Sequence, residues 1–275
     1  MKLFFLSIIT FFSSLFSQPK QINQIISISP TPTQIASPSA APTPKPLTFS
    51  EMNQLYGPCT NTPILMYHHI DTTESATAGK YGFLNVTPDM FDKHMAYLSA
   101  KGYTTIAPAD LINFFSGTSK LPTKAIMLTF DDAYADFGDQ AVSILNKYGF
   151  KATLFAPTGL LENPGYLTWS RISSFGSNIY VGNHTWSHHN VVAKKDVILK
   201  EVNTATAQLN DHGLDPLKIF AYPYGTISNL AVSTIKELGF KLALTTKPGK
   251  ILCAKQALTL PRIRIGNSAL SGHGL

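Results

Sequence analysis

The sequence contains little charge, few cysteines and none of the short patterns that define nucleotide-binding folds. Charged residues make up 14% of its 275 positions, and the net charge of +6 is spread along the chain without a basic cluster. This distribution argues against a nucleic-acid-binding protein. There is no G-x-G-x-x-G or P-loop sequence to support a nucleotide-binding domain, and no internal repeat is present.

The N-terminal segment lacks the ~20 consecutive apolar residues that a transmembrane helix needs. Lys2 is its only charged residue, and it precedes an apolar block that continues to Phe16. This pattern predicts a secretory signal peptide over residues 1–17. No A-x-A-like cleavage site follows, so an uncleaved N-terminal membrane anchor is the open alternative. Both interpretations predict a secreted or extracytoplasmic protein.

Residues 18–48 include a stretch rich in proline, serine, threonine and alanine, Ser29–Pro46. Such a composition cannot form a packed core and predicts an extended linker. Residues 49–275 then form one catalytic domain, because their number lies within the usual range for a single domain.

The chain has only two cysteines, Cys59 and Cys253, near opposite ends of this domain. In an exported protein, an even number of cysteines favours a disulfide bond over free thiols. Closing so long a loop would stabilise the fold by about 4–5 kcal/mol in the chain-entropy model. Two buried, unpaired thiols are the alternative.

Apolar runs alternate with amphipathic segments along the domain, which predicts strands alternating with helices. Strands are predicted at Ile64–His69, Tyr103–Ile106, Ala125–Phe130, Ala152–Ala156, Ile179–Gly182, Ile219–Tyr222, Leu242–Thr245 and Leu258–Ile265. Helices are predicted from Thr87 to Gly102 and at Ala109–Phe115, Gln140–Tyr148, Trp169–Phe175, Asp196–Asp211 and Asn229–Leu238. Nearly all-apolar strands are typical of parallel strands that are buried on both faces. Seven or eight such units favour a closed or nearly closed (β/α) barrel over an open doubly wound sheet, and either fold places the chemistry at the carboxyl ends of the strands.

One of these strands, Ala125–Phe130, ends in two adjacent carboxylates, Asp131 and Asp132. Like charges side by side repel, and desolvation at the rim of a core increases the cost. The simplest explanations are that Asp132 caps the next helix or that both acids lie in water. A functional site is the third explanation, and the histidines of the chain favour it.

Three histidines follow the predicted strand Ile179–Gly182, namely His184, His188 and His189. The spacing of the first two can place both imidazoles on one cation if the turn is helix-like. Two histidines and one carboxylate with open coordination positions form a site for a divalent metal ion and water. One aspartate would then bind the metal, which makes its neighbour's charge tolerable, and the other could act as a base.

The motifs T-F-D-D, H-T-x-x-H and Y-P-Y-G resemble the successive motifs of the polysaccharide deacetylases, the NodB-homology carbohydrate esterases of family four. The resemblance covers most of Pro63–Ile265 and includes I-L-M-Y-H-H-I, G-Y-T-T-I and L-P-R-I. It implies a distorted (β/α)7 barrel. The late L-x-x-H motif of the family has only a formal match, at Leu270–His273.

The resemblance also implies a role for each motif residue. Asp131 is expected to be the general base, and Asp132, His184 and His188 are expected to bind a divalent metal ion, most simply Zn²⁺. The backbone N–H of Tyr224 is expected to stabilise the oxyanion of the tetrahedral intermediate. The reaction would release acetate and leave a free amine on the sugar.

Two positions depart from the family pattern. The glycine that usually follows T-F-D-D is Ala133, and the arginine that usually lies two residues before the proline of Y-P-Y-G is Ala221. We expect an arginine of the last strand to pair with Asp131 instead, with Arg262 preferred and Arg264 second, because a guanidinium group can bind a carboxylate with two hydrogen bonds. Both arginines lying outward on an exposed strand is the alternative.

Five further residues are candidates for contact with the substrate. Tyr222 and Pro223 belong to the Y-P-Y-G motif, and Trp186 could stack on a sugar ring or simply pack on the barrel rim. His68 and His69 point to opposite faces of the first strand, so only one of them should face the cavity. We chose His69.

The form F-A-Y-P-Y-G is similar to the branch of the family that includes poly-β-1,6-N-acetylglucosamine deacetylases. This similarity predicts a monomeric enzyme that removes N-acetyl groups from an extracellular or envelope polysaccharide. Peptidoglycan, chitin-type oligomers and O-acetylated xylan are alternative substrates. A barrel that binds glycans without turnover is an alternative of another class, although such a protein has no need of a general base.

Overall fold

The computed structural model describes residues 46–275 of the chain. The predicted signal or anchor, residues 1–17, and nearly all of the predicted linker, residues 18–48, lie outside the described residues. Within residues 46–275, no helix is long and apolar enough to cross a membrane.

Eight α-helices and twelve strands form the described part of the chain. The helices are α1 (Phe49–Tyr56), α2 (Thr73–Gly79), α3 (Pro88–Ala100), α4 (Pro108–Phe115), α5 (Val142–Lys147), α6 (Trp169–Ser173), α7 (Lys195–Asp211) and α8 (Asn229–Glu237). The strands are β1 (Cys59–Asn61), β2 (Ile64–Tyr67), β3 (His69–Ile70), β4 (Asn85–Val86), β5 (Thr104–Thr105), β6 (Ala125–Asp131), β7 (Ala152–Ala156), β8 (Ile179–Asn183), β9 (Ile219–Ala221), β10 (Leu242–Pro248), β11 (Ile251–Cys253) and β12 (Leu260–Arg264).

Local sequence signals explain where several helices begin and end. Helix α3 begins after Thr87, whose hydroxyl accepts a hydrogen bond from the backbone N–H of Met90. Pro88 occupies the first helical position, where its missing N–H costs nothing. The chain leaves this helix at Gly102, which adopts a positive φ of 72° that glycine tolerates best. The helix predicted to begin at Gln140 is preceded by a π-helical turn from Phe137.

Seven parallel strands close into a barrel in the order β2, β12, β10, β9, β8, β7 and β6, and β6 pairs again with β2. This arrangement confirms the predicted distorted (β/α)7 barrel. The remaining predicted strand is the short β5, which pairs with the first residues of β6 and is not part of the closed ring. All seven strands of the barrel run in the same direction, so their carboxyl ends meet at one mouth of the barrel.

Side chains alternate between the barrel interior and the surrounding helices. On β6, Ile126, Leu128 and Phe130 point outward into the core that also contains Phe91 of α3. Met127 packs in a second cluster with interior residues of other strands, including Ile64, Phe155 and Leu260. Because the period of a strand is two residues, Asp131 follows Met127 on the interior face.

The disulfide predicted between Cys59 and Cys253 is present, with a Cα–Cα distance of 4.1 Å. It joins β1 to β11, two short antiparallel strands in which Cys59 lies directly opposite Cys253. The bond therefore ties the segment before the first barrel strand to the segment before the last one. These two strands and helix α1 were not predicted, although Thr48 and Glu51 form a capping box at the start of α1.

One buried acid lies away from the barrel mouth. Asp215 is 5% exposed and borders a mainly apolar cavity of about 290 Å³ near the start of β9. Its Oδ1 accepts a hydrogen bond from the backbone N–H of Ile219 at 2.9 Å, while Oδ2 has no partner among the described residues. Burial raises the pKa of Asp215 to about 8, and the hydrogen bond and the charge of Lys218 offset this only partly.

We predict that Asp215→Asn flattens the dependence of stability on pH. The pKa of Asp215 is raised above its ordinary value of 3.8, so the folded state binds more protons than the unfolded state between pH 4 and 8. The carboxyl therefore favours folding most below pH 4, and this contribution is lost as pH rises towards 8, by up to about 1.4 kcal/mol per pH unit. Asparagine also tolerates the positive φ of 52° at this position.

Thermal unfolding between pH 5 and 8.5 measures this effect. The wild type should lose more stability over that range than Asp215→Asn, and Asp211→Asn, which removes an exposed acid, should follow the wild type. Parallel curves for the wild type and Asp215→Asn would contradict the prediction.

Candidate active site

The carboxyl ends of the barrel strands surround a cavity of about 480 Å³. Its polar lining comes from the residues after β2, at the end of β6, after β8 and after β9. These residues are His68, Asp131, Asp132, His184, His188 and Tyr224, and Tyr134, Thr246 of β10 and Arg264 of β12 also line the cavity. The two aspartates and both histidines of the H-T-x-x-H motif thus lie together, as the sequence predicts.

Asp131 is held by Arg262 inside the barrel. The two guanidinium nitrogens NH1 and NH2 donate to Oδ1 and Oδ2 of Asp131 at 2.7 and 2.6 Å. Nε of Arg262 donates to the carbonyl oxygen of Thr245 at 2.8 Å, and NH1 also reaches the hydroxyl of Thr129 at 3.2 Å. Arg262 is 0% exposed, so the predicted pairing of Asp131 with an inward-facing arginine is confirmed.

This pairing sets the protonation state of Asp131. Burial by itself raises the pKa of the carboxyl, but the charge and the hydrogen bonds of Arg262 outweigh burial and hold the pKa below its usual value. His184 and His68 act in the same direction. Asp131 is therefore ionised at neutral pH, which is the state that a general base requires.

Asp132, His184 and His188 form a candidate metal centre, with one ligand atom from each residue lying within 4.8 Å of the others. Nε2 of His184 and Nε2 of His188 lie 3.3 and 3.2 Å from Oδ1 of Asp132. Oδ1 is buried and has no hydrogen-bond partner in the described part of the chain. A buried carboxylate oxygen without a donor, facing two imidazole nitrogens, fits a divalent cation.

The barrel fixes the orientation of these ligands. Nδ1 of His184 hydrogen-bonds the carbonyl oxygen of Ala221 at 2.7 Å, so Nε2 points towards the cavity. Asp132 and Ala133 both have positive φ values, 74° and 55°, and these turn the chain sharply at the end of β6. Alanine at φ 55° is strained where the family's usual glycine would not be, so the alanine at this position lowers the stability of the fold.

The charges of the cluster suit metal binding. Burial raises the pKa of Asp132, but the neighbouring imidazole of His184, followed by the charge of His188, lowers it well below its usual range. Burial, and then the charge of His184, lower the pKa of His188. At neutral pH this leaves an ionised carboxylate at Asp132 and a neutral imidazole at His188, which are forms that bind a metal ion. Burial lowers the pKa of His184, but Asp132 and Asp131 outweigh burial and raise it, so metal binding displaces a proton from His184.

The structure places His68, and not the predicted His69, in the cavity. Alternation along β2 turns Ile64, Met66 and His68 towards the barrel interior. Burial lowers the pKa of His68 to about 4, so its imidazole is neutral at pH 7. His69 points the other way and hydrogen-bonds Asp136, with 2.6 Å between Nδ1 and Oδ2.

The prediction that Tyr222 and Pro223 contact the substrate is wrong, because the structure buries both side chains. Tyr222 is 0% exposed, stacks edge-on against Phe220 and donates its hydroxyl to the carbonyl oxygen of Leu258. Tyr224 takes the exposed position instead. It is 63% exposed, has a φ of 60°, and its ring lies 4.6 Å from the ring of His188.

Three other residues of the sequence motifs lie away from the cavity lining. The indole of Trp186 packs against Gly159, where an added Cβ would lie 2.5 Å from Nε1, so the alternative of packing on the barrel rim describes it better than stacking on a sugar. His189 is exposed and is not part of the metal cluster. His273 ends a short 3-10 helix near the C-terminus and does not line the cavity.

Sequence reasoning missed several residues at the cavity mouth, among them Phe83 and Tyr134. Phe83 is 76% exposed in the short 3-10 helix just before β4, where no periodic pattern marks it. Tyr134 directly follows the T-F-D-D-A motif, so its position beside the aspartates was the one available signal.

The chain is similar to known proteins in both sequence and fold. The family model of polysaccharide deacetylases matches residues 118–243. The structure of the Streptococcus pyogenes deacetylase PplD in complex with acetate is 30% identical, covers 74% of this chain and 92% of that chain, and has a TM-score of 0.68.

Two curated relatives are named as poly-β-1,6-N-acetyl-D-glucosamine N-deacetylases. The Escherichia coli K12 protein is 25% identical over 232 residues, which is 68% of this chain and 34% of that protein. The Staphylococcus aureus MRSA252 protein is 22% identical over 201 residues, which is 67% of this chain and 69% of that protein. The chain thus spans about a third of the E. coli protein.

We predict that the chain binds one divalent cation at Asp132, His184 and His188. His184→Ala removes a buried ligand and should weaken Zn²⁺ binding at least ~100-fold, since even partners outside the ligand set typically change affinity 10- to 100-fold. Titration of the metal-free chain with Zn²⁺, followed by metal analysis after dialysis, measures this. His189→Ala, which removes the exposed neighbouring histidine, is the control. Retention of one tightly bound Zn²⁺ by His184→Ala would refute the assignment.

Proposed function

The chain belongs to the polysaccharide deacetylase family, and on that premise we propose that it hydrolyses N-acetyl groups from N-acetylglucosamine residues of an extracellular or cell-envelope polysaccharide. The observation that carries the proposal is that two adjacent acids have different partners in one cavity. Asp131 is paired with Arg262, and Asp132 faces His184 and His188 in the same cavity.

The cavity can support hydrolysis of an acetamide by a metal-assisted route. A divalent cation held by Asp132, His184 and His188, with Zn²⁺ as the first choice, would supply a Lewis acid that acidifies a water molecule and polarises the acetamide carbonyl. Asp131 accepts the proton of the attacking water, because Arg262 keeps it ionised and fixes the direction of its oxygens. The oxygen of that water becomes part of the released acetate.

Two further groups complete the reaction. The backbone N–H of Tyr224 is the candidate donor to the oxyanion, and a donor of this kind typically contributes about 3–4 kcal/mol. His68, whose imidazole is neutral at pH 7, lines the same cavity and is the candidate to relay the proton that Asp131 takes from the water to the leaving nitrogen when the C–N bond breaks. The products are acetate and a sugar with a free amine.

A poly-β-1,6-linked N-acetylglucosamine polymer is the first choice of substrate. The names of the E. coli and S. aureus relatives and the F-A-Y-P-Y-G motif support this choice. Peptidoglycan, chitin-type oligomers and acetylated xylan are the alternatives within the family. The apolar segment of residues 1–17 supports an extracytoplasmic location, either secreted or anchored by the N-terminus, and we propose a monomer.

Acetate release from a panel of acetylated glycans tests this proposal. The panel contains poly-β-1,6-N-acetylglucosamine, peptidoglycan, chitin oligomers and acetylated xylan, each incubated with metal-loaded protein. We expect the fastest release from the β-1,6-linked polymer, with one new amine for each acetate. Faster release from another glycan would reassign the substrate, and binding without release from any glycan would favour a non-catalytic barrel.

We predict that Asp131→Asn keeps the metal and loses most of the activity. The amide cannot accept the proton of the attacking water, and general-base catalysis typically contributes ~10²- to 10⁴-fold. Acetate release and metal content should be measured on the same preparation, with thermal unfolding to verify the fold. Loss of the metal in this variant would show that the roles of Asp131 and Asp132 are reversed.

We predict that Arg262→Lys moves the acidic limb of the pH–rate profile to higher pH. A lysine keeps one charge but cannot hold both oxygens of Asp131, so the pKa of Asp131 rises. Activity needs the ionised form of Asp131 and is lost as pH falls through that pKa. The profile of kcat/KM against pH measures the shift.

Arg264→Lys is the matched control, because Arg264 lies on the same strand and makes no hydrogen bond to Asp131. Its profile should match that of the wild type. A profile of Arg262→Lys that superimposes on the wild type would mean that the pairing does not tune the base.

A further inference from the structure

A second cavity of about 510 Å³ lies beside the first, and Tyr134 lines both of them. Its walls come from the turn after β3, the segment after β6 and the loop around Tyr166. None of the residues assigned above to metal binding or to proton transfer lines this cavity. It is nonetheless placed to receive the part of a polymeric substrate next to the reacting sugar.

His69 is the buried polar group of this second cavity. It is 6% exposed, and its ring lies between the rings of Tyr81 and Tyr134 at centroid distances of 3.8 and 3.6 Å. Asp136 accepts the hydrogen bond of Nδ1 through Oδ2 and is itself fixed by the backbone N–H of Ile70 at 2.9 Å. In the neutral tautomer that donates from Nδ1 to Asp136, Nε2 is a hydrogen-bond acceptor.

Nε2 of His69 has no hydrogen-bond partner within residues 46–275. A side chain this deeply buried and held on both faces by aromatic rings has little freedom to find another partner. The acceptor is therefore built into the wall of the cavity, and it calls for a ligand that carries a hydrogen-bond donor.

The charged residues around His69 favour a positively charged ligand. Three aspartates line the cavity, Asp71, Asp136 and Asp139, and none of the lining residues is a lysine or an arginine. The nearest basic group to Asp139 is Arg171, with 3.7 Å between NH2 and Oδ1, which is too long for a hydrogen bond. Asp71 accepts hydrogen bonds from the hydroxyl of Tyr81 and the backbone N–H of Thr72.

The rings complete the description of the ligand. Tyr81, Tyr134 and Tyr166 all line the cavity, and aromatic faces attract cations as well as the apolar faces of sugars. A ligand with several donors, a positive charge and a ring-shaped apolar face matches this wall. A sugar that carries a free ammonium group has all three features.

We propose that the second cavity is a subsite for a glucosamine residue that has already lost its acetyl group, next to the residue whose acetyl group is being removed. The ammonium and hydroxyl groups of that residue are donors to Nε2 of His69 and to Asp71 and Asp139. This inference rests on the proposed function, because the free amine is the product of the proposed reaction. Such a subsite makes a partly de-N-acetylated polysaccharide a better substrate than a fully acetylated one.

Binding measurements test the subsite without relying on catalysis. The probes are a β-1,6-linked glucosamine tetrasaccharide and its fully N-acetylated counterpart, titrated calorimetrically into the full chain carrying Asp131→Asn, which prevents turnover. The glucosamine probe should bind more tightly, and added salt should weaken its binding because the contact is between charges. Equal or tighter binding of the acetylated probe would overturn the proposal.

Asp139→Asn locates the binding in this cavity. The side chain of Asp139 is 65% exposed, so its loss should weaken binding of the glucosamine probe about threefold. Asp71→Asn combined with Asp139→Asn should weaken it further, and Asp211→Asn, at the far end of α7, should have no effect. If the Asp131→Asn background does not fold, the glucosamine probe can be titrated into the wild type, because it carries no acetyl group. Unchanged affinity in both cavity variants would refute the site.

Kinetics separate this proposal from the proposed function. The wild type should show a higher kcat/KM for a tetrasaccharide with one free amine than for the fully acetylated one, and Asp139→Asn should reduce that preference. Acetate release without any such preference would support the proposed function and contradict the proposed subsite. Failure to release acetate from any glycan would remove the function, while the binding result would still decide whether the cavity takes an amino sugar.

Discussion

The buried ion pair between Arg262 and Asp131 is the interaction on which the site depends. Neither residue could occupy the barrel interior alone, because an unpaired buried charge typically costs about 3–5 kcal/mol. Four of the five guanidinium N–H donors are used, since Thr129 and Thr245 accept two of the three that Asp131 leaves free. The pair also joins two strands, β12 and β6, that lie on either side of β2 in the closed ring. The closure of the barrel and the position of the base therefore depend on each other.

This pair also explains how two adjacent carboxylates can end a buried strand. The sharp turn at Asp132, with its φ of 74°, sends the second carboxylate towards His184 and His188 while the first stays on the strand's inner face. Each acid has its own positive or metal-binding partner, so the repulsion between them is offset locally. Ala221, which takes the place of the family's usual arginine, contributes only its carbonyl oxygen, and that oxygen orients His184.

Much of this arrangement could be predicted from the sequence, because it follows from strand periodicity. The strand Ala152–Ala156 has the predicted bounds, and the inward face of Arg262 follows from alternation along β12. Alternation also shows that only one of His68 and His69 can point into the barrel, but the sequence has no signal that says which one. The burial of Tyr222 and the packing of Trp186 depend on loops whose paths no period fixes, so the sequence did not predict the first and left two alternatives open for the second. Strands β1 and β11 have three residues each, which is too short for a pattern, and they depend on the disulfide and on each other.

The most direct test is a time course of acetate and amine release from poly-β-1,6-N-acetylglucosamine by the full chain, first stripped of metal and then reconstituted with one equivalent of Zn²⁺. The account predicts no release by the stripped protein, and equal amounts of acetate and amine after reconstitution. Equal rates before and after reconstitution would contradict the role assigned to Asp132, His184 and His188. Stoichiometric metal binding without acetate release from this or any other acetylated glycan would contradict the proposed chemistry.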